Sequence, residues 1–157
     1  EAGIKTPLEL TLTLPPTPYA RQGGEVIVAQ LAKVGIVAKT QNVEWAQWLS
    51  GTYGNKNYDL TLISHVEPFD LANFAKPDYY WGYQSAKFND LFNQIKNAAR
   101  PQDRARLLGD AQKLLADDAV HAFLYQPQWI TVANKNLKGL WKDMPVFVND
   151  LSALSWS

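Results

Sequence analysis

The chain has 157 residues, with 15 basic and 15 acidic side chains, so its formal net charge is zero. That balance disfavours a nucleic-acid scaffold, and a hydrophobic content of 46% disfavours intrinsic disorder. The sequence contains no cysteine and only two histidines, His65 and His121. Thiolate metal sites and cysteine nucleophiles are therefore excluded, and we expect no catalytic residues, no metal and no cofactor.

The N-terminal part of the chain alternates strands with helices. Three segments have the composition and patterning of strands, namely residues 8–14, 36–43 and 58–64. Thr17 followed by Pro18 predicts the start of the first helix, and Gly35 its end. The second helix is short and ends at Gly54. This order predicts a βαβαβ unit, in which a parallel sheet is flanked by helices.

The second of these helices has an apolar side in the predicted register. Four large side chains share it, namely Trp45, Trp48, Leu49 and Tyr53. Such a stripe is typical of a helix that packs against a core.

Two longer helices and two strands are predicted in the C-terminal part. Ser85 is a candidate N-cap for the third helix, and Arg100-Pro101 separates that helix from the fourth. The inward positions of the fourth helix are predicted to be Leu107, Leu108, Ala111, Leu114 and Leu115. Strands are expected over residues 120–125 and 129–133, and the chain from Asn134 onward has the composition of loops.

The loop after the third strand is the candidate functional region, because ligands of parallel sheets lie beyond the carboxyl ends of the strands. His65, Val66 and Glu67 have the H-x-E form of zinc deaminases, but the other metal ligands in those enzymes are cysteines. A structural hydrogen bond is therefore the favoured interpretation of His65.

Glu67 and Asp70 follow that strand and would face a cleft. A carboxylate in this position can receive a ligand's ammonium group through a charge-assisted hydrogen bond. The alternative, that the acids cap a turn or pair with Lys76, is equally open from spacing alone. The aromatic run over residues 79–83 is likewise open to two interpretations, a packed lid or a ligand wall.

Several segments resemble motifs of the solute-binding proteins of ABC importers, specifically the dipeptide/oligopeptide-binding family (family 5 extracellular solute-binding proteins). Residues 82–91 are similar to that family's G-Y-x-N-x-x-F-D-x-L stretch, and residues 104–119 to its R-x-x-L-Y-x-x-A-Q-x-I-L-x-E-D-x helix. Residues 121–127 and 137–140 are similar to its closing strand and v-K-G pattern. The resemblance runs in order over almost the whole chain.

The family's proteins are longer and have two lobes that close on a ligand. The resemblance implies that residues 1–125 form the C-terminal, ligand-binding lobe and that residues 126–157 form a hinge and return segment to the first lobe. The implied fold is α/β, a βαβαβ parallel-sheet lobe with flanking helices, like that of class II periplasmic binding proteins. The start at Glu1 is then expected to be that of a trimmed lobe. An orphaned apolar interface is expected at Trp141, Phe147, Leu151 and Trp156.

Peptide-binding members of the family carry W-x-x-D-x-x-D-P after the third strand, and the first Asp takes the peptide's α-ammonium. In that register Ser64 stands at the Trp, Glu67 at the first Asp, Asp70 at the second and Leu71 at the Pro. The resemblance therefore implies that Glu67 holds a ligand's ammonium, with Asp70 in support. The other candidate ligand contacts are His65, Tyr80, Trp81 and Tyr83.

The resemblance implies a periplasmic or extracellular receptor, free or lipid-anchored, that performs no catalysis. It would capture a peptide or a small amine-bearing solute and deliver it to an ABC permease in the inner membrane. The expected partners are the ligand, the permease and the N-terminal lobe of the same protein, with no nucleic acid. Two alternatives stay open: a free-standing small α/β hydrolase, and a protein-interaction module that uses the aromatic loop and the tail.

Overall fold

The computed structural model describes residues 3, 5–67, 69–128, 130–142 and 150–157. The chain divides into two compact units, Glu1–Ala122 and Phe123–Ser157. The first unit contains a parallel sheet with its helices, and the second contains one short antiparallel pairing. The assignment of the residues after 125 to a hinge and return segment stays a prediction.

Three parallel strands form the sheet of the first unit, in the order β2-β1-β3. The central strand β1 (Leu8–Leu14) pairs with β2 (Ile36–Asn42) residue for residue along its whole length. The third strand, β3 (Leu60–Thr61), pairs with the other edge of β1 and is shorter than the predicted 58–64. The predicted α/β fold with a βαβαβ parallel sheet is confirmed.

Helix α1 (Pro18–Ala32) packs on the face of the sheet that carries Leu12 and Leu14. These two side chains share a face because alternate residues of a strand point to the same side. At Gly24 in α1, an added Cβ atom would lie 2.5 Å from Leu14 Cδ1. A side chain at position 24 would therefore force the buried side chain of Leu14 to shift.

The connection between β2 and β3 is a short α-helix, α2 (Trp45–Gln47), that continues as a π-helix over Trp48–Gly54. A π-helix joins residues five apart, as in the 2.9 Å hydrogen bond from Asn55 N–H to Ser50 O. The wider turn changes which side chains share a face. Of the four residues that share a face in the predicted register, Trp48 is buried, and Trp45, Leu49 and Tyr53 are exposed.

Helices α3 (Ala86–Asn97) and α4 (Pro101–Asp117) pack against each other. The predicted cap is confirmed, because Ser85 Oγ accepts a hydrogen bond of 3.2 Å from Phe88 N–H. A six-residue 3-10 helix, Asp70–Ala75, packs against α3. The core that these elements share consists of Phe74, Phe88, Ile95, Leu107, Ala111, Leu114 and Leu115.

In the second unit, β4 (Leu137–Lys138) and β5 (Ser155–Trp156) form an antiparallel pair. Three of the apolar residues expected to form an interface are exposed, namely Trp141, Leu151 and Trp156. The fourth, Phe147, lies outside the described residues. That these side chains contact another lobe stays a prediction.

The strands predicted over residues 120–125 and 129–133 are not formed by the described residues of those segments. Trp129 itself lies outside the described residues. A strand requires a neighbour whose backbone N–H and C=O groups complete its hydrogen bonds. Apolar alternation predicts which face a strand would bury, but it does not supply the neighbouring strand.

Candidate functional site

The segment that follows β3 lies next to the start of α1, at the carboxyl end of the parallel sheet. The link between them is a hydrogen bond of 3.0 Å, donated by Ser64 N–H to the hydroxyl oxygen of Tyr19 in the first turn of α1. Because α1 begins directly after β1, this bond brings the segment to the edge at which such sheets bind ligands. The candidate residues His65, Glu67 and Asp70 come next along the chain.

His65 is hydrogen-bonded through both nitrogens of its ring. Nδ1 lies 3.1 Å from Glu67 Oε2, and Nε2 lies 2.8 Å from the hydroxyl oxygen of Tyr80. The His65 ring is nearly parallel to the Tyr80 ring, at 11°, and it meets the Trp81 ring edge-on. These contacts hold the imidazole in one orientation. The predicted hydrogen bond of His65 is present, and it joins two other candidate site residues.

Glu67 presents a carboxylate to solvent, with 53% of its side chain exposed. Oε2 accepts a hydrogen bond of 3.1 Å from Val66 N–H. The pKa of Glu67 is lowered, first by a hydrogen bond from its own backbone N–H and then by the neighbouring His65. Glu67 is therefore an anion at neutral pH, as the binding of an ammonium group requires.

Asp70 lies close to this pair. One donor atom each of His65, Glu67 and Asp70 can be chosen so that all three lie within 4.8 Å of one another. The structure does not show the alternative pairing of Lys76 with Asp70. Lys76 Nζ instead donates a 2.8 Å hydrogen bond to Asn73 Oδ1. Lys76 also lies over the ring of Tyr79, at 5.6 Å from its centre.

Tyr80 is the buried centre of an aromatic wall behind His65. Its ring contacts those of Trp48 and Tyr53, and its backbone oxygen accepts a 3.1 Å hydrogen bond from the hydroxyl of Tyr58. Burial is the main cause of the raised pKa of Tyr80 and of Tyr58. Burial, followed by the nearby Tyr53, also raises the pKa of Tyr79 to about 12. These hydroxyl groups are thus neutral at physiological pH.

Trp81 also contacts His65 and connects it to the core of the unit. Its ring stacks on Phe74 at 4.6 Å and meets His121 edge-on at the same distance. Burial, with a smaller contribution from His65, lowers the pKa of His121. His121 is therefore uncharged at neutral pH and acts as an aromatic neighbour of Trp81.

Tyr83 is not part of this cluster. Its hydroxyl donates a 2.6 Å hydrogen bond to Asp118 Oδ2 at the end of α4, and its ring packs against Phe74 and Phe88. The structure thus brings together five of the six candidate residues, namely His65, Glu67, Asp70, Tyr80 and Trp81. The position of Tyr83 is that of a residue that anchors the loop to the helical core.

The aromatic wall includes residues that sequence reasoning did not select for the site. Tyr53 contacts Tyr79 and Tyr80, and Trp48 contacts Tyr80. Both come from the π-helix, whose register cannot be read from a pattern of period 3.6. The available signal was the high aromatic content of residues 45–53, which lie before the last of the three strands.

Two surface depressions lie away from the His65 cluster. A polar one of about 250 Å³ is lined by Thr11, Thr13, Gln41, Lys56, Asn57, Tyr58 and Asp59. A second, of about 510 Å³, lies between α3 and α4 and includes Leu91 and Leu114. The cluster itself is open on the side of Glu67. A ligand there would need a second surface to enclose it.

The first unit has the α/β fold of a lobe of a class II periplasmic binding protein. The chain is similar in fold to the oligopeptide-binding protein AppA from Bacillus subtilis, solved with a nonapeptide. The TM-score is 0.77 at 21% identity, over 100% of this chain and 33% of AppA. DppA from Helicobacter pylori, an ABC transporter-associated periplasmic binding protein solved with the peptide STSA, gives a TM-score of 0.70 at 20% identity, over 99% of this chain and 32% of DppA.

The sequence comparison gives the same class of protein. The chain is 27% identical over 165 aligned positions to the dipeptide-binding protein of Escherichia coli (strain K12), covering 88% of this chain and 29% of that protein. No family model matches the chain. The motifs at residues 82–91 and 104–119 indicated a resemblance to dipeptide- and oligopeptide-binding proteins, and this resemblance is confirmed. The chain spans less than a third of the length of this relative. In the described part of the chain, we find no helix that is both long and apolar enough to cross a membrane.

Proposed function

We propose that this chain belongs to the solute-binding component of an ABC importer and forms one lobe of its ligand cleft. The receptor captures a peptide or a small amine-bearing solute and delivers it to a membrane permease. The observation that carries this proposal is the exposed carboxylate of Glu67, held beside Asp70 at the carboxyl end of a parallel sheet. The similarity to the dipeptide-binding protein of Escherichia coli supports the same class of ligand.

Glu67 receives the ammonium group of the solute in this proposal. Its carboxylate is ionised and is fixed by the N–H of Val66, so little side-chain entropy is lost when a ligand binds. A charge-assisted hydrogen bond of this kind contributes roughly 1.5–3 kcal/mol. Asp70 adds a second negative charge, which favours a cationic group over a neutral one.

The aromatic side chains behind the carboxylates provide the apolar part of the site. Tyr53 and Tyr79 meet edge to face, with ring centres 5.8 Å apart. Faces of aromatic rings attract cations as well as apolar groups. Trp81 supports His65 from the core side, and Tyr80 fixes its ring. This arrangement holds a ligand by contacts and hydrogen bonds and needs no reacting group, so we propose binding without catalysis.

The mechanism in this proposal is closure of two lobes around the solute. The ligand bridges this lobe and the N-terminal lobe of the same protein, and its contacts with both stabilise the closed form. The closed form then docks on the permease in the inner membrane. The receptor is periplasmic or extracellular, either free or lipid-anchored. The open side of the His65 cluster is where the other lobe would complete the site.

Mass spectrometry of the full-length protein, purified without added ligand, tests this function. We expect denaturation to release a bound peptide or amine-bearing solute. Glu67→Gln should deplete that molecule from the purified protein. Asp78→Asn, which removes an exposed carboxylate from the same loop, should retain it. A protein that carries no such molecule and binds no member of a dipeptide library would contradict the proposal.

A further inference from the structure

The imidazole and the two carboxylates at the candidate site are groups that bind metal ions as well as ammonium groups. An imidazole and two carboxylates come together at His65, Glu67 and Asp70, with donor atoms within 4.8 Å of one another. This mixture of nitrogen and oxygen donors suits borderline divalent cations such as Zn²⁺, Co²⁺ and Ni²⁺. The sequence argument against a metal at His65 depended on missing cysteines, and this donor set needs none.

The spacing of the first two donors matches that of neighbouring ligands on one ion. Two atoms bonded to a cation at about 2.1 Å lie roughly 3.0 Å apart at a right angle and roughly 3.4 Å apart at the tetrahedral angle. His65 Nδ1 and Glu67 Oε2 lie 3.1 Å apart. This separation therefore allows a cation to replace the proton that the two atoms share. The Asp70 carboxylate lies within 4.8 Å of a donor atom of each of these residues and has to move closer to share the same ion.

The imidazole also has the outer partner that a metal-binding histidine requires. When Nδ1 binds a cation, the ring proton lies on Nε2 and is donated to the hydroxyl oxygen of Tyr80, 2.8 Å away. Tyr80 is only 5% exposed, so this acceptor is fixed. Partners of this kind set the tautomer and the ring orientation of the ligand. Lys76, in the same loop, is engaged with Asn73 and Tyr79.

We propose that His65, Glu67 and Asp70 form a binding site for a borderline divalent transition-metal ion. His65 Nδ1 and one oxygen of each carboxylate are the protein ligands. The open side of the cluster leaves the remaining positions to water or to donor atoms of a solute. This inference goes beyond the proposed function, since it concerns the same residues but does not require that the solute be a peptide or an amine.

Titration of the metal-free, full-length protein with Co²⁺ tests the inference, by calorimetry for affinity and by visible absorption for coordination. We expect saturable one-to-one binding with an absorption band of a nitrogen- and oxygen-ligated ion. His65→Ala and Asp70→Asn should each weaken binding by at least about tenfold, and Tyr80→Phe by roughly tenfold to a hundredfold. Asp78→Asn, the matched carboxylate control, should leave the affinity unchanged. Circular dichroism of each variant shows whether it is folded.

The outcomes separate this inference from the proposed function. His65→Ala removes a metal ligand, so it should lose Co²⁺ binding whether or not the protein takes an amine ligand. Metal binding in a protein that binds no amine or peptide would support the site and contradict the proposed function. An absence of saturable Co²⁺ binding by the wild-type protein would overturn the metal site. Equal Co²⁺ affinity in the wild type and the folded Asp70→Asn and Tyr80→Phe variants would overturn it as well.

Discussion

The indole of Trp48 donates a 3.0 Å hydrogen bond to Thr61 Oγ1, and that hydroxyl in turn donates a 2.7 Å hydrogen bond to the backbone oxygen of Thr13. The π-helix is thereby joined to β3 and to β1 through a single side chain. Trp48 is 4% exposed, so its N–H has no access to bulk water. The hydroxyl of Thr61 therefore links the π-helix, which supplies Trp48 and Tyr53 to the aromatic wall, to the sheet.

Thr61→Val removes this hydroxyl while keeping the shape of the side chain. We expect the free energy of unfolding to fall by about 1–3 kcal/mol, because the indole N–H of Trp48 stays buried without an acceptor. Urea denaturation measures this change. Thr40→Val, at an exposed position of β2, is the control and should have a small effect. Equal losses in the two variants would show that the hydroxyl of Thr61 contributes nothing specific.

Gly24→Ala should destabilise the protein by about 1–3 kcal/mol, because the new methyl group would overlap Leu14 and force α1 away from β1. Gly109→Ala is the matched control. Gly109 lies in α4, and a methyl group added there would meet no atom of another element within 4 Å, so alanine should stabilise the helix by up to about 1 kcal/mol. Thermal denaturation of both variants gives the comparison. A stabilised Gly24→Ala variant would show that this packing is loose.

Alkaline pH should unfold the protein in a range set in part by Tyr79, whose pKa burial and Tyr53 raise from 10.0 to about 12. A raised pKa in the folded state means that the unfolded chain loses this proton first. The contribution of Tyr79 to the free energy of unfolding is therefore fully present below pH 10 and is lost as the pH rises towards about 12. In Tyr79→Phe, the free energy of unfolding should fall less steeply over this range.

Urea denaturation at a series of alkaline pH values measures that slope. Tyr125→Phe, at an exposed position, is the control and should keep the wild-type slope. An unchanged slope in Tyr79→Phe would mean that its phenol ionises equally easily in the folded and unfolded chain.

The regular part of the fold follows from sequence patterns that are local. Alternation over residues 8–14 and the Thr17-Pro18 start of α1 are satisfied by neighbours in the chain, and both predictions are confirmed. A pattern of period 3.6 does not describe the second helix, because most of that helix is a π-helix. The strands predicted after residue 120 were wrong because a strand also depends on a distant partner.

The candidate site likewise has a part that local sequence patterns predict and a part that depends on distant contacts. The loop after β3 could be selected from topology, and its acids from their position beyond the strand. The contact between His65 and Tyr80 joins residues 15 positions apart, and no spacing rule predicts it. Tyr83 was selected for its place in the aromatic run, but Asp118 draws its hydroxyl to the end of α4.

The central claim is that the carboxylate of Glu67 holds the ammonium group of the solute. Calorimetry with the full-length protein tests it most directly, using the copurified solute as the free amine and after N-acetylation. We predict that Glu67→Gln lowers the affinity for the free amine by more than about tenfold, since a charge-assisted hydrogen bond is lost. The N-acetylated form should bind weakly to both proteins, with no further loss in the variant. Equal affinity of the free amine for the wild type and Glu67→Gln would contradict the claim.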